Sequence, residues 1–399
     1  MNDDRTLSYE RGFDHLGTDY ATNPAEMWDE LRAECPVAHS SRHGSVWMPT
    51  TRDAIAQVAY DTDHFSSRDI GVANPPEASG RLVAPPISSD PPFHTEARRI
   101  LLPFFSPRAV DKLETATRSI ARELLDDLAG RARADVAEEY AKHIPVRVIA
   151  AMLGLDESEE DQFATWAVQV VQDAGIDFEG SQRASREMLA YFQQKVEERR
   201  LDPGDDLITQ LTRARIGDAP LTDKHIVGTC FLLLLAGIDT TWSSIGAALW
   251  HLASHPDDLG RLVAEPELLD TAIEEFLRAY SPVTMAREVA EDTEVLGCPM
   301  HKGDKVLLPF GAANRDPAVW DRPDEVLIDR RENRHVTFGL GIHRCLGSNL
   351  ARMELRIALE EWLARYPSFT IDPEGETEWA GSQVRGPRKV PVLLDPAGV

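Results

Sequence analysis

Basic residues are in short supply in this 399-residue sequence: Lys plus Arg is 42 against 67 Asp plus Glu, a formal net charge of −25. Such a deficit argues against nucleic acid as a partner and against an anionic membrane surface. Cysteine is scarce as well. The four cysteines, at 35, 230, 298 and 345, share no close spacing, so neither a disulfide framework nor a paired-cysteine zinc site is expected, and a reducing cytoplasm suits the chain. The first ten residues, MNDDRTLSYE, lack the apolar core of a signal peptide. The longest apolar run, FLLLLAGI at 231–238, falls short of the ~20 residues of a membrane span. Repeats of 20–50 residues and low-complexity linkers are also missing. What remains is ordinary globular composition, 42% apolar and 27% charged, which excludes wholesale disorder and fits one large domain.

From about 106 to 280 the pattern is helical. SPRAVDKLETATRSIARELLDDLAG opens on Ser and Pro and closes at Gly130. SREMLAYFQQKVEERR and PELLDTAIEEFLRAYSP are further helices, and LGSNLARMELRIALEEWLARYP is the last. A long apolar helix is predicted between a Thr222 cap and Pro256, far beyond the usual ~11–12 residues, and should cross the middle of the domain. Short strand-like segments follow to about 310, and the tail QVRGPRKVPVLLD reads as strand. The expectation is a mainly α chain with a small β portion. It forms a single domain over 1–399, with 1–20 as a poorly ordered N-terminal arm. The loop at 73–92, ANPPEASGRLVAPPISSDPP, is long enough to suggest function.

FGLGIHRCLGSNLAR, 338–352, places Cys345 between glycines that allow an unusual backbone path and the start of a helix, where a thiolate is favoured. Three readings stand: a structural cysteine in a Gly turn, a nucleophile with His343 as base, or a thiolate holding a soft or redox metal. The spacing Phe338, Gly339, Gly341, His343, Cys345, Gly347 resembles the haem-ligand signature of the cytochrome P450 family, and the likeness runs from about 20 to 395. The resemblance implies a triangular, mainly helical prism. It also implies haem b with Cys345 as its axial thiolate ligand, whose electron donation favours O–O cleavage.

Other motifs agree. AGIDTT, 236–241, puts two small residues, Ala236 and Gly237, beside an acid and a hydroxyl in an apolar stretch. The small residues leave room for a flat cofactor and a diatomic ligand. Packing on a neighbouring helix, with Asp239 in a structural ion pair, is the competing explanation. The resemblance implies proton delivery through Thr240 and Asp239. Glu275 and Arg278 are three apart on one helix and match the family's E-x-x-R, completed by Arg330 as structural support. Where the family usually has Phe four residues before that arginine, this chain has Val326. His94, Arg98, Arg287 and His343 match the positions that hold the haem propionates, and ANRDP at 313–317 is a further bacterial hallmark.

The segment 330–356 is locally basic, with arginines at 330, 331, 334, 344, 352 and 356 against Glu332 and Glu354. Arg344, Arg352 and Arg356 are expected to dock an acidic ferredoxin or flavodoxin. The sequence has no flavin, nicotinamide or iron–sulfur segment, so a separate NAD(P)H reductase is expected. The substrate pocket implied by the resemblance offers Leu82, Val83, Ile87, Leu233, Ala236, Val283, Thr284 and Val384. Mostly apolar, it favours a hydrophobic small molecule such as an aromatic ether, a terpenoid or a lipid-like compound. The expected activity is monooxygenation with dioxygen, by a cytoplasmic monomer. A haem sensor and a peroxide-driven peroxygenase are the alternatives; the acid–alcohol pair speaks against both.

Overall fold

The computed structural model describes residues 9–72, 83–173 and 177–394. The helices that build the site are α1 (Arg52–Tyr60), α2 (Phe93–Leu101), α3 (Glu114–Asp127), α4 (His143–Leu153), α5 (Phe178–Leu201), α6 (Asp223–Ser254), α7 (Leu269–Ala279) and α8 (Ser348–Arg365). The central helix α6 spans 32 residues. Thr222 caps it, its hydroxyl accepting from the His225 N–H at 3.3 Å, and Pro256 begins the next helix. Helices α4, α5 and α8 pack around it. It is long and apolar enough to cross a membrane, but 78% of its most apolar window is buried inside the protein, so protein rather than lipid takes up its apolar surface.

The strands that bear on the site are β1 (Val37–Ser40), β2 (Val46–Pro49), β3 (Phe65–Ser66), β4 (Thr284–Val289), β5 (Lys305–Pro309), β6 (Glu378–Ala380) and β7 (Gly386–Lys389). The first five form one sheet in the order β1-β2-β5-β4-β3. Its pairs are antiparallel except β2 with β5. Strands β6 and β7 make a hairpin, and β7 lies against α6. Two apolar cores result, a large one around α6 and a smaller one behind the sheet.

Two expectations change. The helix expected from Ser106 to Gly130 is broken: Pro107–Val110 and α3 are separated by a 3₁₀ turn at Asp111–Leu113. Val110 before the turn and Thr117 after it are both buried. Residues 9–20 are not a loose arm. The Tyr9 carbonyl accepts from the His39 N–H at 2.9 Å, the Phe13 carbonyl accepts from the Ser40 hydroxyl at 2.7 Å, and Phe13 and Tyr20 are buried. Apolar burial against the sheet anchors the segment.

Candidate active site

The Cys345 loop is built by two left-handed glycines, Gly339 at φ +73° and Gly341 at φ +66°, a region that side chains with a Cβ avoid. Gly341 is also pressed on α1: a Cβ there would meet the Ala59 carbonyl oxygen at 2.4 Å. The Cys345 N–H donates to the Phe338 carbonyl at 2.6 Å and closes the loop. Cys345 is exposed on the open side of this loop. The protein mass behind it still raises the thiol pKa by burial, while the Gly347 N–H and then Arg98, Arg352 and Arg344 pull it down.

Behind the loop, Glu275 and Arg278 are wholly buried. Arg278 also donates to the carbonyls of Asn314, Pro323 and Glu325 at 2.7–2.9 Å. Arg330 donates to Glu275 at 3.0 Å. Asn314, from the ANRDP stretch, accepts from the Val336 N–H at 2.7 Å and donates to the Thr337 hydroxyl at 2.8 Å. Buried, fully paired ions thus fix the chain that enters the cysteine loop. The Val326 departure leaves the arginine contact intact.

His94, Arg98, Arg287 and His343 do come together. The His94 and His343 rings lie 4.3 Å apart, and Ser67 bonds the His343 Nε2 at 2.9 Å. Among the described residues, both ring nitrogens of buried His94 have no partner. Burial first, then the charges of Arg287, His94 and Arg98, push the His343 pKa down to about 2. Burial also lowers buried Arg287 to about 10. Four basic groups crowded this way, with unsatisfied nitrogens, fit a ligand that brings carboxylates. Haem propionates meet that requirement.

On α6, Ala236 is exposed and Thr240 half-buried. The Thr240 hydroxyl donates to the Ala236 carbonyl at 2.8 Å, leaving its lone pairs to accept. Gly237 does not face the cysteine side as expected. A Cβ there would meet Ile149 of α4 at 2.9 Å, so this glycine serves helix packing, while Ala236 is exposed. Asp239 is fully buried. It accepts from Arg388 at 2.7 Å and Gln172 at 2.8 Å, and among the described residues no hydrogen bond joins it to Thr240.

Of the expected pocket residues, Val283 bridges Val384 and the Thr284 N–H donates to the Gln383 carbonyl at 3.0 Å. Val83 and half-buried Ile87 belong to a segment seated on α6: the Thr229 hydroxyl donates to the Pro85 carbonyl at 3.2 Å, and Gly228 leaves no room for a Cβ beside the Val83 carbonyl. Leu233 is buried in α6. Leu82 lies outside the described residues.

The docking arginines divide. Arg352 pairs with Glu274 at 2.5 and 2.8 Å and stacks on Phe338 at 4.4 Å. Arg356 faces Glu114 at 3.5 Å and Glu360 at 3.9 Å. Arg344 is exposed and shares a groove of about 580 Å³ with Arg52 and Arg334, with no acidic residue on its walls.

Sequence reasoning missed Arg388, Gln172, Ser67 and Glu354. Each meets its partner through tertiary contact, and no local spacing marks it. Glu354 is the one with a trace in the sequence, an acid on the apolar face of its helix.

The chain belongs to the cytochrome P450 family, whose model matches residues 175–267 and 261–383. It is similar to the polyketide biosynthesis cytochrome P450 PksS of Bacillus subtilis, 32% identical over 95% of this chain and 97% of that protein. The vitamin D(3) 25-hydroxylase of Pseudonocardia autotrophica is 34% identical over 94% of each chain. The solved structure of CYP109E1 from Bacillus megaterium, in complex with testosterone, superposes with a TM-score of 0.87 at 32% identity, over 95% of this chain and 100% of that one. The protein is therefore a P450 monooxygenase with the family's fold, and membership implies haem ligated by a cysteine thiolate.

Proposed function

We propose that this enzyme hydroxylates or oxidatively dealkylates a hydrophobic small molecule with dioxygen, holding haem b through the Cys345 thiolate. Electrons come from NAD(P)H through a separate reductase and a ferredoxin or flavodoxin. The observation that carries the assignment is the meeting of the Cys345 loop with the basic cluster of His94, Arg98, Arg287 and His343. A thiolate donor and a cationic cradle at one opening would suit the iron and the propionates of haem.

Bound haem supplies the oxygen-activating redox chemistry. The residues do the rest. The glycine turn and the Glu275–Arg278–Arg330 set hold the Cys345 sulfur in place. The basic cluster orients and anchors the propionates. Ala236 keeps that stretch of α6 free of bulk. Thr240 offers a fixed hydroxyl at the opening, and Asp239 holds the acid from which protons are relayed in a region closed to bulk water. Val83, Ile87, Leu233, Val283, Thr284 and Val384 provide an apolar wall that excludes water and takes up an apolar substrate. The lipophilic compounds in the names and ligands of the similar proteins support this substrate class. Arg344, with Arg52 and Arg334, is the docking point for an acidic electron carrier, while Arg352 and Arg356 are engaged within the protein.

The test is the spectrum of the purified, reduced, carbon-monoxide-bound protein, followed by a screen of lipophilic compounds for a shift of the ferric spectrum and for NAD(P)H-dependent product. A thiolate-type spectrum with turnover of at least one such compound supports the proposal. Absence of the spectrum after haem loading overturns it.

A further inference from the structure

We propose that Arg388 and Gln172 are positioning residues that pin one carboxylate oxygen of Asp239, so that its other oxygen alone is free to take up and hand on protons. The inference rests on the reading of Asp239 as the acid of the proton path, and deepens it.

The geometry is lopsided. Asp239 Oδ1 accepts from Arg388 Nη2 at 2.7 Å and from Gln172 Nε2 at 2.8 Å. Asp239 Oδ2 is equally buried and among the described residues has no partner, and the neighbouring Arg388 Nε and Trp242 Nε1 have none either. Glu275 in the same protein shows what a structural carboxylate looks like. Its Oε1 accepts from Arg278 and the Leu327 N–H, and its Oε2 from Arg278, Arg330 and Asn333, at 2.8–3.1 Å. Arginine frequently meets carboxylates in that two-armed way. At Asp239 the second arm is diverted: Arg388 Nη1 donates to the Ser243 hydroxyl at 3.0 Å, and the ring of Trp242 holds the guanidinium at 4.5 Å. A buried carboxylate oxygen left open is costly to maintain and is what a proton-transfer group needs.

The clamp also reaches outward. The Arg388 side chain is 13% exposed against 1% for Asp239. Lys142 lies 6.0 Å from the Trp242 ring on its way to the surface, where it pairs with half-exposed Glu138. Gln172 ends a π-helical turn, Val168–Gln172. Three separate parts of the chain, α6, β7 and this turn, therefore set the state of one acid. Burial raises the Asp239 pKa, and Arg388 and then Gln172 lower it. Glu138 acts on Arg388 in turn.

The experiment compares wild type with Asp239→Asn, Arg388→Gln, Arg388→Lys, Gln172→Leu and the Asp239→Asn/Arg388→Gln pair, all haem-loaded. NAD(P)H oxidation is followed with ferredoxin and reductase in excess, across pH and in deuterated water, and urea unfolding midpoints are taken on the same samples. Arg388→Gln is expected to slow NAD(P)H oxidation about tenfold, raise the solvent isotope effect and move the pH profile. Arg388→Lys should restore most of the rate, Gln172→Leu should fall between, and the double variant should be no slower than Asp239→Asn. The unfolding midpoints should be non-additive, as for a direct pair. If Asp239→Asn is slow but Arg388→Gln and Gln172→Leu keep the wild-type rate and isotope effect, the positioning role is wrong and the acid stands. If Asp239→Asn itself runs at the wild-type rate, the proton-path reading falls and the inference with it.

Discussion

Glu275 receives both arms of Arg278, each at 2.8 Å, with both side chains wholly enclosed. The pair ties α7 to the chain that runs into the Cys345 loop. Breaking one partner leaves a bare buried ion, which costs about 3–5 kcal/mol. Glu275→Ala and Arg278→Ala are therefore expected to express with little bound haem and a much lower urea midpoint. Haem content and unfolding curves check this.

Cys345→Ala should lose the thiolate-type carbon monoxide spectrum, whereas alanine at Cys35, Cys230 or Cys298 should keep it. Those three are buried, whereas Cys345 is exposed. Retention of the spectrum by Cys345→Ala would remove the ligand assignment.

A propionate that loses its guanidinium partner loses a charge-assisted bond of roughly 1.5–3 kcal/mol. Arg287→Ala and Arg98→Ala should each release haem about 10- to 100-fold more readily to an acceptor protein, and His94→Ala less so. Arg287 should show the larger loss, because it is buried while Arg98 is half-buried; each also donates to a backbone carbonyl, of Ala286 at 2.7 Å and of Arg344 at 2.5 Å. Haem-transfer rates decide the order.

Thr240→Ala removes a hydroxyl that, among the described residues, bonds only its own helix. If the hydroxyl's open lone pairs serve proton transfer, the variant should keep consuming NAD(P)H while product falls and hydrogen peroxide rises. Asp239→Asn should slow the whole cycle instead. The ratio of product to NAD(P)H consumed separates both from a change in stability alone.

Glu354 is buried on α8, and burial raises its pKa to about 8 against a bond from Thr241 that lowers it. A carboxyl raised in the folded state is held protonated there while the unfolded chain ionises. Stability is therefore lost as pH rises from the usual carboxylate range, 4.5 for this group, to about 8. Glu354→Gln should flatten that fall and raise the unfolding free energy most at pH 8, by up to a few kcal/mol, read from urea unfolding curves. Equal pH profiles for the two proteins would show that Glu354 finds a partner when ionised.

The sequence by itself determined whatever follows from local spacing. The cap at Thr222 and the stop at Pro256 bounded α6 to within a residue. The glycines at 339 and 341 marked an unusual backbone path, which is left-handed in the structure, and the E-x-x-R spacing put Glu275 and Arg278 on one helix face. These succeed because helix periodicity, capping and positive φ are short-range effects. Tertiary structure alone decided which way an invisible face points and which distant charges meet. Gly237 turned to Ile149 because α4 lies there, while Arg352 closed on Glu274 and left Arg344 exposed. Arg388 crossed 149 residues to reach Asp239. A buried charge is held by whichever opposite group packing brings within about 3 Å, and no local pattern encodes that meeting.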